Sequence, residues 1–346
     1  MQSVAQNLKH VSVKVLAFDI GGANLKVADG QGYTDHRAFP LWKQPEKLAD
    51  ALAEMIADAP QTERIAITMT GELADCYETK AEGVQSIIEA AQQAASQKEL
   101  SVYLVDGRFV EPREAVSNPL LAAASNWHAL ASFASRFVDK STALLIDLGT
   151  TTCDIIPIID GKPATRGLTD PERLATGELV YSGVERTPLF ALVDTFELAG
   201  RSTPLAPELF ATTADAYVLL GDLPEDDHNT DTPNGRPRTR RHAHARIARG
   251  ICADASMMSL DEAIQAAELV RRRQLDQIAA AIQQVVQRWD EPPTEVLISG
   301  RGEFLLQTVL AALSWQARVL SLSNQLGPEV SRCATAYALA ALTKTD

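Results

Sequence analysis

The chain is poor in aromatic residues and cysteines, carries no surplus of positive charge and has no long apolar run. Aromatics make up 5% of 346 residues, too few to favour the stacking platforms that hold single-stranded nucleic acid. The 45 acidic residues outnumber the 32 basic ones, for a formal net charge of −13. A surface of that sign repels DNA and RNA and argues against wrapping a polyanion. Cys76, Cys153, Cys252 and Cys333 are scattered with no CxxC pair, so neither a zinc cluster nor a disulfide framework fits. A reduced cytoplasm is the expected compartment. No apolar stretch approaches the ~20 residues needed to span a bilayer. Met1 to Lys14 reads as a polar lead-in without the apolar core of a signal peptide.

What is present is the composition of a folded globular protein, 46% hydrophobic and 22% charged. Its length suits about two domains of ~150 residues. Val13 to Ile20 predicts a buried strand that carries Asp19 and runs into Gly21-Gly22. Strands follow over Asn24–Ala28 and Tyr33–Phe39, a helix over Glu46–Asp58, a strand over Arg64–Thr70, a helix over Ala81–Ser96 and a strand over Ser101–Val105. Asn118–Val138 has the composition of one helix, with Pro119 tolerable only in its first turn.

The opening pattern then returns. Thr142–Leu148 is an apolar strand carrying Asp147, followed by Gly149, a threonine run and the strand Cys153–Ile159. Setting Asp19 on Asp147 also sets Gly21 on Gly149, Asn24 on Thr152 and the Asp29-Gly30 turn near Asp160-Gly161. Two related halves are expected. Beyond them, Gly221–Gly235 predicts a polar loop, and Arg236–Arg249 with six arginines a solvated basic helix face. Leu260–Trp289 predicts one long helix or two abutting ones, Glu295–Ser299 a strand, Phe304–Leu313 a helix, Ala317–Leu322 a strand and Arg332–Leu342 a final helix.

A carboxylate at the end of a buried strand can hold hydrated magnesium. A glycine two residues on lets the chain turn sharply and bares backbone N–H groups to a phosphate. Asp19 and Asp147 are therefore the candidate metal ligands and catalytic carboxylates. Gly21, Gly22, Asn24, Gly149, Thr150, Thr151 and Thr152 are the candidate phosphate-binding residues. Each motif alone also fits a hairpin with a turn-capping aspartate; the pair favours a phosphate grip. Gly300 and Gly302, between a strand and a helix, add a third candidate anion turn.

Two Asp-x-Gly turns with a late glycine loop resemble the actin, sugar kinase and Hsp70 superfamily. More narrowly, FDIGGANLK, MTGELADCYETKAEGV, NWHALA, LIDLGTTTCDI, TGELVYSGVERTP and ISGRGEFLL resemble the hydantoinase/oxoprolinase-related family. Its members include tetrahydromethanopterin-linked C1 transfer pathway proteins and archaeal methanofuran-biosynthesis synthases. The resemblance implies an α/β fold of two RNase H-like (actin-like ATPase) lobes with a cleft, divided as 13–125 and 126–346, the second with a helical insert and the C-terminal helix. It also implies a Mg²⁺-dependent transferase that couples an aminomethylfuran-methanol diphosphate to the phenol of γ-glutamyltyramine, forming an aryl ether and releasing pyrophosphate. On that reading Lys26, Lys80, Glu82, Asn126, Glu178 and Arg186 are expected to bind substrate, and Asp19, Asp147 or Glu72 to accept the phenolic proton.

An ATP-dependent kinase or a hydantoinase/oxoprolinase-like hydrolase uses the same turns, with ATP in place of the diphosphate. A non-catalytic actin-like scaffold is the third reading. The expected partners are the small-molecule diphosphate and phenolic amine, with no nucleic acid and no membrane; monomer and dimer both stay open.

Overall fold

The computed structural model describes residues 14–139, 142–313 and 315–343; the polar lead-in and the expected strand start at Val13 lie outside them. The chain divides into two compact units. One runs through Phe137 and resumes from Leu326; the other is Val138–Gln325.

In the first unit β1 (Val15–Ile20) is buried along its whole length. It pairs antiparallel with β2 (Asn24–Ala28), which pairs with β3 (Thr34–Ala38). On its other side β4 (Arg64–Met69) and β5 (Glu99–Tyr103) add in parallel, and β6 (Phe109–Val110) closes the order β3-β2-β1-β4-β5-β6. Side chains alternate along a strand. Leu16, Phe18 and Ile20 pack into a core with Leu52 and Met55 of helix Leu48–Asp58 and with Val84, Ile87 and Ile88 of helix Lys80–Ala95. Val15 and Ala17 face the other way, against Ala129 of helix Asn126–Ala134 and Leu339 of helix Ala334–Leu342. Asp19 shares that second face.

Two expectations need correcting. A short helix, Pro112–Ser117, comes first, and the single helix expected over 118–138 is two, Pro119–Ala122 and Asn126–Ala134, followed by the 3-10 turn Ser135–Phe137. Proline opens the first two, and Ala124 breaks the path with a left-handed φ of 48°. The division at 125/126 also moves: Asn126–Ala134 and the C-terminal helix belong to the first unit, because their small apolar faces cover the second side of its sheet.

The second unit repeats the pattern. β7 (Ala143–Leu148) pairs antiparallel with β8 (Cys153–Ile159), whose end meets β9 (Lys162–Pro163). β10 (Leu179–Val180) lies outside β8. A separate hairpin pairs β11 (Thr195–Leu198) with β12 (Arg201–Pro204). β13 (Glu295–Ser299) and β14 (Arg318–Ser321) extend the main sheet in parallel, in the order β10-β8-β7-β13-β14. Leu144, Ile146 and Leu148 share a core with residues of helices Thr213–Leu220, Arg240–Arg249, Leu260–Val286 and Glu303–Leu313. Leu260–Val286 is one unbroken helix, opened by a Ser259–Glu262 capping box.

The basic stretch is only partly a solvated face. Arg240, Arg241 and Arg249 are exposed, but Arg246 is fully buried. It holds Asp215 Oδ1 at 2.6 Å and reaches Asn234 Oδ1 at 3.2 Å, pinning the polar loop. Among the described residues, no helix is long and apolar enough to cross a membrane.

Candidate phosphate-binding turns

The two Asp-x-Gly turns close in the same way. Gly21 N donates to Asn24 O at 3.0 Å, and Gly149 N donates to Thr152 O at 2.8 Å. The match continues on the neighbouring parallel strand, where Asp19 lies in register with Thr68 and Asp147 with Ser299. One turn later Gly71 N donates to Ile20 O at 3.0 Å, and Gly302 N to Leu148 O at 2.9 Å. These bonds align Thr70-Gly71-Glu72 with Arg301-Gly302-Glu303. Sequence reasoning missed this second repeat, although the shared Gly-Glu pair after a strand was its available signal.

In the first unit Asp19 is 5% exposed. Lys26 Nζ stands 3.8 Å from its Oδ2, while Oδ1 has no hydrogen-bond partner among the described residues. Burial pushes the Asp19 carboxyl above its ordinary pKa, and Lys26 opposes the shift. A buried carboxylate oxygen without a partner is costly, and a cation ligand would satisfy it. Gly21 is required by space, since a Cβ there would lie 3.0 Å from Asn24 O; one at Gly22 would meet nothing within 4 Å. Asn24 is exposed and closes the turn with its carbonyl.

Glu72 is 1% exposed, with Lys80 Nζ 3.6 Å from its Oε1. A Cβ on Gly83 would come within 2.2 Å of Glu72 O, so helix Lys80–Ala95 is seated directly on this residue. That seat fixes the Glu72 backbone, and its carboxylate faces the Lys80 ammonium. Glu82 caps its helix: its Oε2 accepts from Glu78 N at 2.8 Å, and its N–H donates to Thr79 Oγ1 at 3.1 Å. Asn126 is half-buried in the first turn of its helix. The preceding Ser125 Oγ lies 2.8 Å from Thr68 Oγ1 and donates to Tyr103 O at 2.9 Å. His128 Nδ1 meets Tyr103 OH at 2.9 Å, a satisfied helix histidine.

In the second unit Asp147 is half-buried, and residues 182–187 lie against its turn. Val184 N donates to Gly149 O at 3.1 Å, and the Glu185 and Arg186 N–H groups both donate to Thr150 O at 3.0 Å. A Cβ on Gly183 would fall 2.4 Å from Thr150 backbone. Buried side chains fix this approach: Gln274 Nε2 and Thr213 Oγ1 both donate to Gly183 O, at 2.9 and 2.8 Å. Gly300 has φ 91°, and a Cβ there would meet Leu148 O at 2.3 Å and Asp147 Oδ1 at 2.9 Å. Ser299 is buried beside Asp147, and its Oγ has no hydrogen-bond partner among the described residues. The Thr150 and Thr151 hydroxyls stand 3.4 Å apart, and Arg186 reaches Asp231 at 3.9 Å on the surface.

Glu178 is the clearest correction among the substrate-binding candidates. It is fully buried, and its carboxylate accepts from Arg166 N at 2.8 Å, Gly167 N at 3.0 Å, Thr176 Oγ1 at 2.9 Å and Arg288. Burial alone would raise its pKa, but these donors together hold it below the usual carboxylate range. Its acceptors are spent on the fold.

Among the described residues no three His, Cys, Asp or Glu side chains cluster as a metal cage. One carboxylate per turn instead suits magnesium, which keeps its waters and binds through one or two carboxylates plus phosphate oxygens.

The family model described as hydantoinase/oxoprolinase matches residues 63–345. The chain belongs to this family. A curated relative from Methanocaldococcus jannaschii is 36% identical over 335 residues, covering 96% of this chain and 98% of that protein. It is named (4-{4-[2-(gamma-L-glutamylamino)ethyl]phenoxymethyl}furan-2-yl)methanamine synthase. A relative of the same name from Methanococcus vannielii is 34% identical over 218 residues, covering 62% of this chain and 96% of its own length. Among solved structures, nucleotide-free acetone carboxylase superposes with a TM-score of 0.50 at 12% identity, over 91% of this chain and 51% of that one. That likeness concerns the fold alone. With the repeated hairpin-plus-parallel sheets, it places the family member in an α/β fold of two RNase H-like units.

Proposed function

We propose that the chain is a transferase of methanofuran-type cofactor assembly, condensing an aminomethylfuran-methanol diphosphate with the phenol of γ-glutamyltyramine. The observation that carries this reading is 36% identity, end to end, with a synthase whose named product contains a phenoxymethyl-furan ether. The anion turns are chemically suited to that reaction.

The phenol oxygen forms a bond to the furan CH₂ carbon as that carbon's bond to the diphosphate oxygen breaks. The bonding pair leaves with pyrophosphate, and the phenolic proton passes to the basic oxygens of the released diphosphate. The furan ring delocalises positive charge developing at the CH₂. The demand on the protein is therefore chiefly to stabilise the leaving group, as preorganised donors do for a developing anion.

The backbone N–H groups around Gly149 and Gly300 and the Thr150 and Thr151 hydroxyls supply donors in one unit. Lys26 and the backbone at Gly22 supply them in the other. Asp19 in the first turn and Asp147 in the second are the carboxylates that would each hold Mg²⁺, which when bound neutralises phosphate charge. Lys80, ordered by Glu72, and Arg186 are the remaining cationic side chains for substrate.

Incubation with the furan diphosphate, γ-glutamyltyramine and Mg²⁺ should release one pyrophosphate per ether formed. Folded, metal-supplied protein that releases none sinks the reading. ADP formed from ATP in place of the ether would establish the kinase alternative.

A further inference from the structure

The alignment of the two turns exposes one substitution with chemical consequence. The residue following the parallel strand is Thr70 in the first unit, and its Oγ1 lies 3.5 Å from where a Cβ on Gly21 would stand. That place therefore faces the turn. Its counterpart in the second unit is Arg301, between Gly300 and Gly302.

Arg301 is not loose at that place. Its Nε lies 2.8 Å from Glu185 Oε1, while Arg238 Nη1 donates to Glu185 Oε2 at 3.0 Å. Arg238 is buried, and about half of the Arg301 side chain is exposed. Glu185 is itself tied to the turn, its N–H donating to Thr150 O at 3.0 Å. One carboxylate thus holds two guanidiniums and leaves the group net positive, in a chain whose overall charge is −13. Arg186 stands next along the chain, with Nη1 3.9 Å from exposed Asp231. The buried Ser299 hydroxyl, with no hydrogen-bond partner among the described residues, is an independent sign that the same turn is built for a ligand.

We propose that Arg301 is a diphosphate-binding residue of the second-unit turn, with Glu185 as its positioning residue and Arg238 as the fixed anchor behind it. The proposal deepens the synthase reading and rests on it for the identity of the diphosphate. A guanidinium presents a planar fork of donors that matches phosphate oxygens, and the ion pair with Glu185 through Nε leaves the Nη groups for the ligand. The Thr70 position offers only a hydroxyl, so at this place in the repeat the two turns are unequal, and the charged contact belongs to the second unit.

The test titrates inorganic pyrophosphate with Mg²⁺ into the full-length protein by calorimetry. Arg301→Ala should weaken binding about tenfold or more, the scale of a charge-assisted hydrogen bond. Arg301→Lys should recover part of the loss, with circular dichroism unchanged in both. Glu185→Gln should weaken binding in the wild-type background and have no further effect once Arg301 is alanine, a coupling that general damage to the fold would not produce. Wild-type protein that binds no pyrophosphate, or Arg301→Ala protein that binds within about twofold of wild type, overturns the proposal. Wild-type protein that binds pyrophosphate yet makes no ether overturns the synthase reading and leaves the role of Arg301 standing.

Discussion

At the scale of single residues, the buried carboxylate of the first turn links stability to function with opposite signs. Asp19 is buried, one of its oxygens has no hydrogen-bond partner among the described residues, and burial raises its pKa. Asp19→Asn removes the charge with little change of shape. Metal-dependent pyrophosphate release should fall by about a hundredfold or more, the scale of losing a group that stabilises a leaving anion. The melting temperature of the metal-free protein should rise, because a carboxylate whose charge burial disfavours, even with Lys26 at 3.8 Å, is gone. A variant that is both less active and less stable would mean that Asp19 serves the fold. The glycines separate just as cleanly. Gly300→Ala forces a side chain onto φ 91° and into Leu148 O, and should cost about 2 kcal/mol or more in denaturant melts. Gly22→Ala meets open space and should stay within about 0.5 kcal/mol of wild type.

At the scale of elements, residues 176–187 depend on Glu178, whose folded pKa lies below its unfolded value. A depressed carboxylate contributes stability that is present above the unfolded pKa, about 4.3. That stability is lost as pH falls through the folded value. Glu178→Gln should therefore be less stable than wild type at neutral pH, and the gap should close in melts below about pH 4. A gap that widens in acid would reverse the assignment. Glu178 also marks where the sequence stopped being informative. Its TGE context looks like a ligand-facing glycine turn, and nothing in one dimension shows that Arg166, Gly167 and Arg288 converge on it. The Asp-x-Gly turns were legible because their chemistry is local: strand, carboxylate and glycine are consecutive. Apolar spacing likewise placed Asn24–Ala28, Cys153–Ile159 and Glu295–Ser299 at their observed bounds. The stretch from Asn118 to Val138 is as apolar as a single helix, but its break lies in the left-handed backbone at Ala124, which no side chain announces. The Thr70-Gly71-Glu72 and Arg301-Gly302-Glu303 correspondence left only a Gly-Glu pair in the sequence, too short to stand out without the backbone bonds to Ile20 and Leu148 that align it.

At the scale of the whole molecule, the chain leaves its first unit at Phe137 and returns to it from Leu326. The last helix, Ala334–Leu342, covers the face of β1 that carries Val15, Ala17 and Asp19, and Leu339 is fully buried there with Ala66 and Tyr103. The first turn is therefore completed by residues some 300 positions downstream of it. Leu339→Ala opens a cavity in that small cluster and should cost about 2–4 kcal/mol. Truncation after Gln325 removes the whole cover. Val15, Ala17, Ala66 and Ala129 would then face water, at about 25 cal/mol for each Å² of apolar surface exposed. The first unit should lose its fold in the truncated chain. The second unit keeps its own core, built from Leu144, Ile146 and Leu148 with the helices around them. Limited proteolysis should accordingly degrade the N-terminal part first and leave a resistant fragment close to 138–325. Uniform digestion of both parts would show that they fold as one cooperative block, and equal resistance of both would show that the C-terminal helix is dispensable.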